Sequence, residues 1–207
     1  MDQLSQSLNN LELNPVFTLC DSELSFSSAI AFLQSVPSLV IDCEGLNLGV
    51  DGGSLSVISI RSQNETFVFD IPSLTCPLDP LFDILMNPGI LKILFDGRMD
   101  FCALYYRYGI PLTGVIDLQL ADIKSRFIRQ ESLEEHNKRL RRCFSFKQVF
   151  DPRNAHKYEP IHVLQGLGAC LIEHKCTTTA PKKQGESRHP LSISPPHLLH
   201  LLLPSRS

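Results

Sequence analysis

Three acidic side chains stand where carboxylate chemistry is possible. Asp42 and Glu44 close a strongly apolar run, Val40-Ile41-Asp42-Cys43-Glu44-Gly45. Strand side chains alternate, so an extended segment here sends both carboxylates to the same side. Carboxylates side by side repel each other, and a cation between them removes that cost. The plainer alternative is an exposed strand end with both acids in water. The third acid, Asp100, lies in Leu94-Phe95-Asp96-Gly97-Arg98-Met99-Asp100-Phe101, where a second apolar run passes into a Tyr-rich segment. It falls in the first turn of a helix, where an acid also serves as a cap or complements the helix dipole. Asp96 competes for the same role, and position relative to the helix favours Asp100. If the two strands are neighbours, the three carboxylates converge. Such a donor set suits hard divalent cations, Mg²⁺ or Mn²⁺.

The elements that must position these acids are legible in outline. Ser25–Ser35 reads as a short helix with serines to cap its start. SLVIDCEG is a strand entering a Gly-containing turn. SVISIRS and ETFVFDI are strands of a hairpin around Gln63-Asn64. Pro77–Asn87 is a helix closed by Pro88-Gly89, and LKILF is a fourth strand. In the helix that follows, Phe101, Leu104, Tyr105 and Tyr108 recur at helical spacing, which predicts one apolar stripe and places Tyr105 and Tyr108 in the core. Gly109 and Pro111 stop it. Leu164, Leu167, Leu171 and Ile172 form a second stripe in a helix ending near Lys175. This order is α/β, with an antiparallel portion in the sheet.

A chain of 207 residues with 43% hydrophobic residues is long and apolar enough for one cored domain with an appendage. Residues 1–15 are polar and expected to be flexible, and 16–176 form the domain. Within it, 124–160 are charged and aperiodic and read as a basic insertion. Residues 177–207, biased to Ser, Pro, Leu and His, are expected to be disordered. The net charge of −3 conceals an asymmetry. Residues 1–123 hold 4 basic and 15 acidic side chains, whereas 124–157 hold 10 basic and 4 acidic. Lys138, Arg139, Arg141 and Arg142 could guide a phosphate backbone, although charge alone favours a solvated loop. No run approaches the roughly 18 apolar residues of a membrane helix, and the acidic N-terminus is unlike a signal peptide. With seven irregularly spaced cysteines and no CxxC, an intracellular protein of the nucleus or cytoplasm is expected. Cys43, Cys102 and Cys170 read as core residues, and Cys170, His174 and Cys176 lack a fourth ligand for zinc.

Three segments in order, VIDCEG, LFDGRMDFCALYYRYGI and GVIDLQLADI, resemble the motifs of the ribonuclease D-like branch of the DEDD 3′–5′ exonuclease superfamily. The resemblance runs from about Leu39 to Ile123 and resumes weakly at residues 164–175. It implies an RNase H-like α/β fold, a mixed sheet of about five strands flanked by helices. It also implies hydrolysis of phosphodiester bonds from the 3′ end of single-stranded RNA or DNA, with two Mg²⁺ or Mn²⁺ ions about 3.5–4 Å apart. Asp42 matches the acid that bridges both ions, Glu44 the one that binds one ion and orients water, and Asp100 the ligand of the outer ion. Asp117, with Gln119, matches the Asp-x-Gln-x-Ala stretch that supports the site without binding metal.

The pattern departs in one place. The family's third motif carries a fourth acid, an Asp shortly after a Tyr or His. Here no Asp follows Asp151, and only Glu159, Glu173 and Glu186 remain. His197 and His200 are the available substitutes, and the simplest account is a truncated or rerouted C-terminus. Without that acid one metal loses a ligand. Without the Tyr or His the water loses general-base assistance, commonly about 10²–10⁴-fold in rate. Weak or absent turnover is therefore expected. The alternative function is a catalytically dead exonuclease fold serving as an RNA-binding or scaffold module.

Overall fold

The computed structural model describes residues 17–63 and 65–176, which form two compact units. The described residues up to Ile93, with Arg98–Val115, make the first unit; Leu94–Gly97 and the residues from Ile116 onward make the second. The expected tail, with His197 and His200, lies outside the described residues, as do residues 1–16. Among the described residues no helix is long and apolar enough to cross a membrane.

The first unit is built on strands β1 (Thr18–Cys20), β2 (Ser38–Glu44), β3 (Val57–Ser62), β4 (Glu65–Asp70) and β5 (Leu91–Leu94). With β6 (Val115–Asp117) they form a mixed six-stranded sheet ordered β1-β4-β3-β2-β5-β6. The count exceeds the five strands expected, because three-residue strands carry too little alternation to be read in advance. In β2 the period of two is clean: Leu39, Ile41 and Cys43 are buried, Asp42 and Glu44 exposed. The register sets Ile41 opposite Ile60 and Cys43 opposite Ile58, and Ile58 opposite Phe69. Cross-strand partners share a face, so these residues form one apolar surface. The β3–β4 hairpin turns at Gln63, whose φ of 51° is the left-handed conformation that tight hairpins require.

Helix α1 (Glu23–Leu33) begins in a capping box between Ser22 and Ser25 and covers that surface with Phe26, Ala29, Ile30 and Leu33. Phe26 meets Phe69 edge to face at 5.9 Å. Helix α2 (Asp79–Met86) buries Leu81, Ile84 and Leu85. The turn after it is held by Lys92, a fully buried ammonium that donates to the carbonyls of Asn87 (2.5 Å) and Ile90 (2.8 Å). Burial depresses its pKa. Helix α3 (Arg98–Tyr108) departs from the sequence reading. It buries Asp100, Ala103 and Leu104, whereas Phe101 and Tyr105 stack on each other at 40% and 46% exposure. Of the expected stripe Leu104 is fully buried, and the half-buried Tyr108 packs on Phe82 at 5.2 Å.

The second unit is helical. It contains α4 (Leu118–Ile128), α5 (Leu133–Leu140), α6 (Phe146–Phe150), α7 (Ala155–Tyr158) and α8 (Leu167–Glu173). The stretch read as an aperiodic insertion thus carries regular helices. Their starts are written in polar residues: Ser132 with Glu135 and Ser145 with Gln148 form capping boxes. Charged side chains do much of the cross-linking. Asp122 and Arg126, one turn apart on α4, form an almost fully buried ion pair. The His174 Nε2 lies 3.0 Å from Asp122 Oδ1, and Arg126 donates to the Val163 carbonyl at 2.8 Å. Arg129 and Arg139 both donate to Glu173 Oε1 at 2.7 Å.

Burial opposes ionisation of Asp122. The hydrogen bonds from His174 and Arg126, with the Arg126 charge, outweigh it and hold the carboxyl far below its ordinary value. Glu173 is held at about 2 by Arg139, Arg129 and Gln165, again against burial. A carboxyl depressed by folding stabilises the fold above its unfolded pKa, and that contribution is lost as pH falls through the folded value. Thermal melts should therefore fall steeply as pH drops from the ordinary Glu value of 4.5 toward about 2. Asp122→Asn, which leaves Arg126 buried with its charge uncompensated, should cost about 3 kcal/mol at neutral pH. It should also flatten the acid limb. An unchanged limb would show that this carboxylate does not carry the acid sensitivity.

Candidate active site

The three acids singled out by sequence belong to the first unit, and one hydrogen bond organises them. Strand β5 runs parallel to β2 and pairs with it only from Ser38 to Val40. Beyond that point β2 continues without β5, and the Cys43 N–H donates instead to Asp100 Oδ1 at 2.7 Å. The carboxylate of Asp100 is therefore fastened to the backbone midway between Asp42 and Glu44. Those two side chains project from the exposed side of β2, as alternation predicts. Asp100 is only 7% exposed. Burial raises its pKa, the Cys43 hydrogen bond works against that rise, and the Glu44 charge adds to it.

The glycine of VIDCEG is required by close approach. A Cβ on Gly45 would lie 1.9 Å from the Ser54 carbonyl oxygen, so the loop leaving the acids can fold back on the chain only at a glycine. The loop then closes through Ser54 N–H to the Leu46 carbonyl (2.8 Å) and Ser56 N–H to the Glu44 carbonyl (2.9 Å). The thiol of Cys43 is buried, as expected, and burial beside Asp100 pushes its pKa well above the ordinary value.

Asp117, in the second unit, has a different task. One of its carboxylate oxygens caps α4, accepting from the Gln119 (2.8 Å) and Leu120 (3.4 Å) N–H groups. The carboxylate also accepts from the Asp96 (3.2 Å) and Gly97 (3.0 Å) N–H groups, in the turn just before α3. Asp96, the rival candidate, is thus held by its backbone at a φ of 58°.

The basic candidates divide. Arg139 is half-buried between Glu131 and Glu173, which fix its charge inside the unit. Arg142 donates to Gln165 Oε1 at 3.1 Å, and Arg141 lies 5.5 Å over the Phe146 ring. Lys138, Arg141 and Arg142 are exposed. His174 of the rejected zinc pattern faces Asp122. Sequence reasoning passed over the Asp122–Arg126 pair, although opposite charges four apart on a helix are a readable signal.

Mg²⁺ and Mn²⁺ prefer oxygen donors, and an all-carboxylate set suits them. Among the described residues no group of three or more His, Cys, Asp or Glu side chains is gathered closely enough to hold a metal ion. Asp42, Glu44 and Asp100 are neighbours joined through backbone. A carboxylate offers about four lone-pair sites, so one N–H does not exhaust Asp100.

Removing the Asp100 side chain should strand the Cys43 N–H. Asp100→Ala is expected to lower stability by about 1–3 kcal/mol, whereas Asp100→Asn, which keeps an oxygen acceptor, should cost clearly less. Urea titrations of the two variants provide the comparison; equal losses would rule out the hydrogen bond as the cause.

Residues 17–143 match the family of 3′–5′ exonucleases. Ribonuclease D of Bartonella henselae is 28% identical over 120 residues, covering 56% of this chain and 30% of that protein. The piRNA biogenesis protein EXD1 of Xenopus laevis is 31% identical over 100 residues, 47% of this chain and 22% of that one. The chain thus spans less than a third of the length of either relative. The crystal structure of Escherichia coli RNase D aligns with a TM-score of 0.55 over 90% of this chain and 40% of that one, at 15% identity. The shared fold is the RNase H-like mixed sheet flanked by helices.

Proposed function

Because the chain belongs to the 3′–5′ exonuclease family, of the ribonuclease D type, we propose that it binds the 3′ end of single-stranded RNA or DNA and hydrolyses its terminal phosphodiester bonds with Mg²⁺ or Mn²⁺. The observation that carries this reading is the fastening of Asp100 to the backbone between Asp42 and Glu44. Asp42, Glu44 and Asp100 would hold the ions. Ions held there would supply an activated water and neutralise charge at the leaving 3′ oxygen. The chain's own part is positional: β2 aims two carboxylates to one side, and α3 delivers the third to the same strand end. Asp117 is a positioning residue that fixes the turn before α3 through its backbone amides. Lys138, Arg141 and Arg142 are exposed cations that would contact phosphates and make binding salt-dependent.

A second reading has an observation of its own. Residues 152–207 contain no Asp, and a site of Asp42, Glu44 and Asp100 without a fourth acid would bind nucleic acid without turning it over. We expect slow hydrolysis. With 5′-labelled single-stranded RNA and DNA and either cation, a ladder should shorten from the 3′ end. Asp42→Ala should reduce it by at least about a hundredfold, and a chelator should abolish it. No ladder with retained gel-shift binding would select the second reading. Neither ladder nor binding would refute both.

A further inference from the structure

We infer that the cavity beside α3 is a nucleobase subsite, in which Tyr106 stacks on a base of the strand whose 3′ end lies at the acids. The inference rests on the function proposed above and adds a recognition element that the acids do not supply.

The cavity belongs wholly to the first unit. Its volume is about 560 Å³, within the range of small-molecule sites. The loop from Gly49 to Leu55 forms one wall, and Cys102, Ala103, Tyr106 and Arg107 of α3 form the other. Both walls are continuous with the acid site. The loop is the segment that leaves Glu44, and α3 is the helix that carries Asp100. They are pressed together at Gly49, where a Cβ would lie 2.6 Å from the Met99 carbonyl oxygen, one residue before Asp100. From Asp100 to Tyr106 the helix advances about 9 Å, a distance a strand covers in a nucleotide or two.

The lining chemistry points to a base rather than a phosphate stripe. Tyr106 is 78% exposed, the largest exposure among the rings of this helix, and meets Tyr105 edge-on at 5.5 Å. An exposed ring offers a π face on which a base of single-stranded nucleic acid stacks; Arg107, the next residue of the wall, lays its guanidinium over the Tyr108 ring at 5.7 Å and donates to the Tyr108 hydroxyl at 3.3 Å. The described part of the first unit, residues 17–63, 65–93 and 98–115, carries 10 acidic and 4 basic side chains. A unit with that excess of acids repels a polyanion, and stacking on one uncharged face is the interaction it can still offer.

The test uses the whole chain in a chelator, so that binding is read without turnover. Anisotropy of a 5′-fluorescein single-stranded oligoadenylate should show Tyr106→Ala binding roughly tenfold more weakly than the unmodified protein. Tyr106→Phe, which keeps the ring, should bind like the unmodified protein. Because Tyr106 projects into solvent, neither substitution disturbs the core. Where hydrolysis is measured, Tyr106→Ala should raise KM with little change in kcat. Equal affinity for Tyr106→Ala and the unmodified protein would overturn the subsite, while the 3′-end ladder and its loss in Asp42→Ala would still support the exonuclease reading. Absence of both binding and ladder in the unmodified protein would overturn the two together.

Discussion

The hydrogen bond from Cys43 N–H to the Asp100 carboxylate is the constraint on which the candidate site depends. It arises because β5 accompanies β2 only as far as Val40. A buried backbone N–H left without an acceptor costs about 1–3 kcal/mol. The end of β2 therefore needs an oxygen at this point, and α3 provides it from its first turn. In meeting that need the fold sets a third carboxylate beside two others. Burial disfavours ionisation of Asp100, and the Glu44 charge adds to that effect. The structural requirement of the strand is thus met by the same side chain that the proposed function uses.

The two units are held together internally by different forces. In the first, apolar side chains from β2, β3 and β4 meet α1 across one continuous face. In the second, few apolar side chains are buried, and carboxylates and guanidiniums link α4, α5 and α8 instead. Buried ion pairs recover little beyond their desolvation cost, but they are demanding in geometry. That demand explains why Arg139, which the sequence presents as one cation among four, is committed inside the unit between Glu131 and Glu173.

Much of the first unit was legible because strand periodicity and burial coincide there. Alternation in β2 put Asp42 and Glu44 on the exposed side, and the hairpin and the neighbouring of β2 and β5 follow from turn chemistry and α/β order. The orientation of α3 was not legible. Its apolar residues suggest a stripe through Phe101 and Tyr105, but the helix turns Asp100 inward with Ala103 and Leu104. One polar contact to a strand end fixed the rotation against the apolar count. Periodicity scores apolar area and is blind to a single buried carboxylate. The helices of the 124–160 stretch were hidden for a similar reason, since capping boxes and charge pairs write their signal in polar residues.

Cys43 sits between two acids of the candidate site, yet it is shielded from the chemistry that exposed thiols undergo. Its side chain lies on the apolar side of β2, and burial together with the neighbouring carboxylates keeps it protonated. Thiolate is the form that oxidants and alkylating reagents attack. The motif thus carries a cysteine at its centre without becoming redox-sensitive there. Cys143 is exposed and stands open to such reagents, so a thiol label can reach the second unit there while leaving the strand of the acids untouched.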